Sequence, residues 1–341
     1  MTIGSATRDV FLESSLFKVL NDPVHLKKIG FPTGEAQCFA LGSKIEVDKP
    51  VLTIGGGAAN AGVTFVRQGF STSSFVRVGD DQNGKAILED LRSEKITPLL
   101  IKDKKFGTSY SVVLLSPSGE RTILNYRGAS EHLEKKDLPI SRMKADVAYI
   151  APGRISFSVM TEIIKVLKKN RVFIAMNPSK YYLEMGAQRL KPILNALGVV
   201  ILNKEEASYL TGYKYNEEKK MFKKFDELVE GIAVMTDGPR GVLVSDGKMI
   251  YKAGIYKDNG VKDRTGAGDA FGSGFVAGLF RGRSKEKNIF SESGIMEGIK
   301  LGTANATSVV EQIGAQGGIL TKNLFLKEKR WKTLPIKKYK I

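Results

Sequence analysis

The sequence predicts an α/β fold: a doubly wound, mostly parallel sheet flanked by helices, with a small antiparallel β lid. Three observations carry this. From Thr53 onward, short apolar runs alternate with longer segments of helical period, the pattern of βαβ units. Two stretches, 15–54 and 106–127, break that rhythm with alternating β-prone residues and no intervening helix. The chain has 341 residues, 42% of them hydrophobic, enough core for one large or two modest domains and too apolar for a disordered chain.

Taken in order, strands are expected at 74–79, 145–151, 172–178, 198–203, 231–238 and 241–247. Helices are expected between them at 58–68, 83–94, 156–169, 204–211 and 217–229. These predict a core built from 1–14, 55–105 and 128–341, and a lid built from 15–54 and 106–127. Within the lid, GTSYSVVLLSPSGERTILNY reads as a hairpin turning at Ser116 to Gly119. Open α/β sheets bind ligands at the carboxyl edge of their strands, so an appendage over that edge would close on a ligand.

The formal charge is +17, which attracts anions without choosing among nucleic acid, acidic membrane and a phosphorylated ligand. Residues 321–341 hold +7 of it, leaving +10 for the rest. This tail reads either as a site for an acidic partner or as a solvated end segment, with Phe325, Trp331, Tyr339 and Ile336 docking on the domain. Cys38 is the lone cysteine, and His25 and His132 are the only histidines. No internal disulfide, cysteine zinc site, HExxH metal site or Ser-His-Asp triad is available. A reducing cytoplasm fits, and neither a secretory leader nor a membrane span is read from the sequence. Nucleic acid is not an expected partner, since no zinc finger, RNP pattern or helix-turn-helix accompanies the charge.

Gly79 to Ala86 matches GxxxxGK but ends in Ala where a Walker loop needs a hydroxyl, and Asp80 and Asp81 would face phosphates. It reads as a strand end and an Asx turn that opens a helix. The segment Asp263-Arg264-Thr265-Gly266-Ala267-Gly268-Asp269 opens directly into a small-residue helix. Such a turn aims backbone N–H groups and the helix's positive end at one spot, an anion hole with Asp269 at its mouth as a candidate base. The plainer reading is an N-cap Asp with packing glycines. Gly55-Gly56-Gly57-Ala58-Ala59-Asn60 also joins a strand to a helix; Asn60 has the donors and acceptor to grip hydroxyls, and tight helix–sheet packing is the alternative.

These segments resemble the two signatures of the ribokinase-like (PfkB) carbohydrate kinases, in the family's order. GSATRD with Asp9, VGDDQNG at 78–84, RGAS at 127–130, LNKEEA at 202–207, TDGPRG at 236–241 and GAQGG at 314–318 extend the resemblance along nearly the whole chain. It implies a ribokinase-like fold and an ATP-dependent phosphotransferase acting on a sugar or nucleoside hydroxyl under a lid. By match to the motifs, Asp269 would be the base and Gly266, Ala267 and Gly268 the anion hole. Asp9, Gly56 and Asn60 would hold the acceptor. Asn203, Thr236, Gly238, Gly241 and Asn305 would line the nucleotide site, and Glu206 would hold Mg²⁺ through water. A monovalent cation such as K⁺ is allowed by Asp263 and the region of Gly314.

The sequence departs from the family at Arg264, where a small or hydroxyl residue is usual; it reads either as an added phosphate contact or as an outward solvated charge. Three acceptors stay open. A ribose- or fructose-like sugar comes first. A nucleoside would need stacking side chains, for which Phe17, Phe31, Phe39 and Tyr110 are candidates, and a sugar acid or sugar phosphate would suit Arg127 and Arg154. A non-catalytic, nucleic-acid-associated protein on the same scaffold is the reading from a different class. Two lids pairing edge to edge would give a homodimer.

Overall fold

The computed structural model describes residues 1–31, 33–116, 121–282 and 291–340. In chain order it contains β1 (Thr2–Gly4), β2 (Thr7–Glu13), β3 (Lys18–Asn21), α1 (Pro23–Lys28), β4 (Glu35–Cys38), β5 (Val51–Gly55), α2 (Gly57–Arg67), β6 (Ser73–Gly79), α3 (Gln82–Ser93) and β7 (Thr97–Asp103). There follow β8 (Tyr110–Leu115), β9 (Arg121–Tyr126), β10 (Val147–Ala151), α4 (Phe157–Lys169), β11 (Phe173–Met176), α5 (Lys180–Leu183), α6 (Ala187–Leu194), β12 (Val199–Asn203), α7 (Lys204–Thr211) and α8 (Glu218–Glu227). The chain ends with β13 (Ile232–Thr236), β14 (Val242–Ser245), β15 (Met249–Ala253), α9 (Ala267–Arg281), α10 (Glu292–Val310), α11 (Lys322–Lys327) and β16 (Ile336–Lys340).

Ten strands form the main sheet in the order β16-β15-β14-β13-β12-β11-β10-β1-β6-β7. From β13 to β7 every pairing is parallel, and β14, β15 and β16 add an antiparallel margin. The central parallel strands β10 to β13 are buried on both faces, as their near-continuous apolar runs require, while the edge strand β7 is only partly buried. On β10, Ala148 and Ile150 pack into one core with α4 to α8, while Val147, Tyr149 and Ala151 pack into the other with α2, α9 and α10. α9 and α10 lie so close that a Cβ on Gly278 would stand 2.7 Å from the Cα of Gly298. That approach explains the glycines spread along both helices.

Strand order runs one way from β10 to β13 and the other way from β1 to β7. The reversal falls between β1 and β10, and the carboxyl ends of those two strands open the crevice where such sheets take ligands.

A separate four-stranded sheet has the order β5-β2-β8-β9, with β2 and β8 parallel and its other pairings antiparallel. It differs from expectation at one boundary. Residues 1–14 were assigned to the core, yet β2 belongs to this second sheet, because its alternating side chains leave one face for the lid. The stretch 15–54 also contains helix α1, where no helix is expected. Asp22 caps it by accepting a hydrogen bond from the His25 amide at 3.0 Å, and Pro23 sits in its first turn. The predicted turn at Ser116 to Gly119 lies, apart from Ser116, outside the described residues; the strands it joins pair as expected.

The Gly79 to Ala86 segment is the Asx turn its carboxylates suggest: Asp81 caps α3 through the Gly84 amide at 2.8 Å. The same carboxylate accepts from the Thr108 amide at 2.7 Å and the Thr108 hydroxyl at 2.6 Å, tying the root of β8 to the core. The basic tail docks. Phe325 and Trp331 are buried, the Tyr256 hydroxyl donates to the Trp331 carbonyl at 2.9 Å, and β16 becomes the sheet's edge strand, with Tyr339 left exposed. Among the described residues no helix is long and apolar enough to cross a membrane.

Candidate active site

The crevice at the strand reversal is built by two turns. At the first, β5 runs through Gly55 and Gly56 into α2, and a Cβ on Gly57 would come within 2.4 Å of the Ala151 Cβ and 3.2 Å of the Asp269 Oδ1. The packing reading of that glycine therefore holds, and it is what lets α2 carry Asn60 up to Asp269. At the second turn, Gly266 takes φ 77° at the N-cap of α9. A Cβ there would stand 2.4 Å from that of Ala315. Asp263 braces this turn: its Oδ1 accepts from the Thr265 amide at 2.9 Å and hydroxyl at 2.7 Å, and its Oδ2 from the Gly314 amide at 3.0 Å.

The Gly266 to Asp269 turn is the wall between two cavities. One, of about 200 Å³, is polar and bounded by the lid; Asp9, Gly56, Asn60, Gly266, Asp269 and Arg127 line it. The other, of about 230 Å³, is mostly apolar and takes in Ala267 and Gly268 together with Thr236, Gly238 and Gly241. At the wall itself, the Ala267 amide reaches the Arg264 carbonyl only at 3.4 Å and the Ala270 amide bonds Gly266 at 2.8 Å. Between them, the amides of Gly268 and Asp269 have no backbone acceptor among the described residues. Orphan donors at a helix N-terminus are what an anion requires.

Asp269 accepts a hydrogen bond from the Asn60 side-chain amide at 2.9 Å, and Asn60 in turn accepts from the Gln316 side-chain amide at 3.2 Å. Burial lifts the Asp269 carboxyl above its usual range, the nearby charge of Asp9 adds to the lift, and the Asn60 bond opposes it. Burial likewise raises Asp9, against its bond from the Thr7 hydroxyl at 2.8 Å. Asn60 thus orients the carboxylate while still lining the polar cavity, through a bond to Asp269 that the sequence does not reveal. Gln316 lies inside the GAQGG motif, the one sequence signal that pointed to it.

Asn203 and Glu206 form a reciprocal capping box at the start of α7, each backbone amide bonded by the other's side chain at 2.8 Å. Burial pushes the Glu206 carboxyl up to about 7, with the charges of Glu205 and Asp269 adding to it and the Asn203 amide opposing. Neither residue lines the apolar cavity. Nor does Asn305, which corrects its expected role. It is fully buried in α10, donates to the Ala270 carbonyl at 2.9 Å and the Thr64 hydroxyl at 3.2 Å, and accepts from the Leu320 amide at 2.9 Å. Its neighbours Thr303, Ala306 and Thr307 reach the cavity instead, one helical face around from it, with Phe271 and Val310. Arg264 lines the same cavity as an exposed side chain.

Fold and site together set one glycine turn between two cavities at the carboxyl edge of the sheet. The chain belongs to the pfkB family of carbohydrate kinases, whose family model matches residues 30–322. Members of that family are phosphotransferases acting on hydroxyl groups, so the chain is an enzyme of that class, and the reading as a non-catalytic scaffold falls. It is 26% identical to the ATP-dependent 6-phosphofructokinase of Thermoanaerobacterium thermosaccharolyticum, over 73% of this chain and 79% of that protein. It is 30% identical to a fructokinase of Escherichia coli, over 72% of this chain and 84% of that one. The solved structure of Arabidopsis thaliana ribokinase with ribose and ATP superposes with a TM-score of 0.76 at 20% identity, covering 97% of this chain and 98% of that chain, and shows the shared ribokinase-like fold.

Proposed function

We propose that the protein transfers the γ-phosphoryl group of ATP to a hydroxyl of a ribose- or fructose-like sugar. The observation that carries this reading is the Gly266 to Asp269 turn standing between a polar and a mostly apolar cavity. The sugar would occupy the polar side, with Asp9 and its neighbours accepting from the remaining hydroxyls, and the nucleotide would occupy the other, its base against Phe271 and Val310. The acceptor oxygen attacks phosphorus as its proton passes to the Asp269 carboxylate and the bond to ADP breaks. Charge developing on the transferred group is met by the free amides of the turn.

Among the described residues no group of three or more His, Cys, Asp and Glu side chains is placed to hold a metal ion. A single carboxylate at Glu206, shared with nucleotide phosphates and water, is the donor set Mg²⁺ tolerates and a structural metal does not. When bound, Mg²⁺ would neutralise phosphate charge, and Glu206 and Asn203 would orient its waters. A monovalent cation near Asp263 would draw mainly on loop carbonyls, because both oxygens of that carboxylate already bond protein donors.

A nucleoside acceptor has less support. Phe17, Phe31, Phe39 and Tyr110 do not line the polar cavity, and Phe17 packs edge-on against Phe39 within the lid at 5.5 Å. The test is ADP release from Mg-ATP by the full chain, screened across pentoses, hexoses, sugar acids, sugar phosphates and nucleosides. A sugar should raise ADP release well above the acceptor-free rate. Preference for a nucleoside, or equally fast ATP hydrolysis without acceptor, would overturn the reading.

The lid sheet leaves β5 and β9 as edges, with Leu52, Leu124 and Tyr126 exposed on them. We place a second copy there, so light scattering at micromolar concentration should report a dimer, and a monomer would remove it. A chain with the single cysteine Cys38 needs no oxidising compartment, and the need for ATP favours a cytoplasmic site, which cell fractionation checks.

A further inference from the structure

We propose that Gln316 is a positioning residue for Asp269: its side-chain amide fixes which way round the Asn60 amide stands, and so keeps the Asn60 NH₂ group on the Asp269 carboxylate. The inference rests on the kinase reading above, in which Asp269 is the base, and adds a residue to it.

The order of donors and acceptors along this chain of side chains leaves one arrangement. An ionised carboxylate only accepts, so Asn60 must turn its NH₂ group to Asp269, where Nδ2 stands 2.9 Å from Oδ2. The Asn60 Oδ1 then faces the other way, and the Gln316 Nε2 donates to it at 3.2 Å. Were Asn60 turned over, its oxygen would face the carboxylate and its NH₂ group would face the NH₂ group of Gln316. Both contacts would repel. Asn60 is 3% exposed, so little water reaches it to replace a lost partner.

Gln316 is itself anchored at a distance from the site. Its carbonyl accepts from the Arg67 Nη1 at 2.9 Å, and the same nitrogen donates to the Ile319 carbonyl at 3.0 Å. Glu94 holds that guanidinium at two points, accepting from Nε at 3.2 Å and from Nη2 at 2.5 Å. Arg67 lies two turns after Asn60 on α2, on the same face of the helix. The segment that carries Gln316 is therefore strapped along one face of α2, by its backbone at Arg67 and by the Gln316 side chain at Asn60. Gln316 does not line the polar cavity, so it acts on the reaction through Asn60.

The bond has a chemical consequence. A donor on Asp269 favours its ionised form, and the Asn60 bond opposes the burial and the Asp9 charge that raise this carboxyl. Once Asn60 is loosened that opposition weakens, and Asp269 keeps its proton to a higher pH. The other titratable or charged groups around Asp269 are Asp9 on β2, Glu206 on α7, Tyr149 on β10 and Arg127, which shares the polar cavity. Replacing Gln316 by a neutral side chain leaves all four in place.

The experiment measures two things across pH in the full chain. One is kcat for ADP release from Mg-ATP, with ribose and with fructose as acceptor. The other, read without substrate, is the carboxyl ¹³C signal of Asp269 in aspartate-labelled protein, assigned by its loss in Asp269→Asn. Gln316→Met should move the acid limb of kcat and the ¹³C midpoint up by about one pH unit, a tenfold weaker hold on the ionised form, with the KM for ATP unchanged. Gln316→Glu should move both further, because a second carboxylate competes for the Asn60 NH₂ group. Gln316→Lys keeps a donor and should leave both at the wild-type pH or below it. On top of Asn60→Ala, Gln316→Met should add no further shift, since the link it breaks is already gone. If Gln316→Met fails to fold, the opposite shifts of Gln316→Glu and Gln316→Lys carry the test. A Gln316→Met protein that melts earlier but keeps both midpoints would show that Gln316 only fastens its loop to α2, and would overturn this inference, as would a full Gln316→Met shift in the Asn60→Ala protein. No ADP from either sugar would count against the kinase reading alone, because the ¹³C titration decides the inference without turnover.

Discussion

Asp269→Asn should lower kcat by at least about 10²-fold and leave the affinity for ATP nearly intact. The substitution keeps the shape of the side chain and its place at the third position of α9, but an amide cannot take the acceptor's proton. Asp269 lines only the polar cavity, and the mostly apolar one is built by Thr236, Gly238, Gly241, Phe271 and their neighbours, so nucleotide binding loses no contact. The carboxyl is raised by burial, a direction that makes it a stronger base than an exposed aspartate. A base must be deprotonated to act. Activity of the wild type should therefore fall on the acid side at a pH above the ordinary carboxylate range, and the small residual rate of the variant should lack that limb. Steady-state ADP release with acceptor and ATP both saturating, repeated across pH, measures both effects; near-wild-type turnover would remove Asp269 from the role of base.

The main sheet was legible because parallel strands buried on both faces read as apolar runs and their helices as 3.6-residue periods. β6 and β10 to β14 all fall where those runs lie. β1 escaped notice because three residues, Thr2–Gly4, are too few to show a period, although they hold the centre of the sheet. β2 is not read as a strand in the sequence, and its residues go with the core there, since which sheet an alternating strand joins depends on partners far along the chain. At the site, motif matching found the turn and its aspartate. It misassigned Asn305 because a buried amide that ties α10 to α9 and a cavity-facing one have the same letter, and only the helical face separates them. Gln316 was visible inside GAQGG, but its bond to Asn60 joins two segments far apart in the chain that only folding brings together.

Gly266→Ala should lower kcat by about 10²- to 10³-fold and reduce thermal stability as well. The added methyl would lie 2.4 Å from the Ala315 Cβ and 2.8 Å from its Cα, at a residue whose φ of 77° already disfavours any side chain. Ala315 belongs to the segment that Asp263 ties to the turn through the Gly314 amide, so neither side can give without moving the other. The turn must shift, and with it the amides of Gly268 and Asp269 that face the transferred group. Gly268→Ala separates the two consequences. Nothing lies within 4 Å of its added methyl, so that variant should melt at nearly the wild-type temperature. Its methyl would still enter the cavity lined by Ala267 and Gly268, and turnover should fall through crowding of the phosphates rather than through the fold. A Gly266→Ala enzyme that loses stability but turns over at the wild-type rate would show the turn to be structural only, and the free amides would have to be given up as the anion hole.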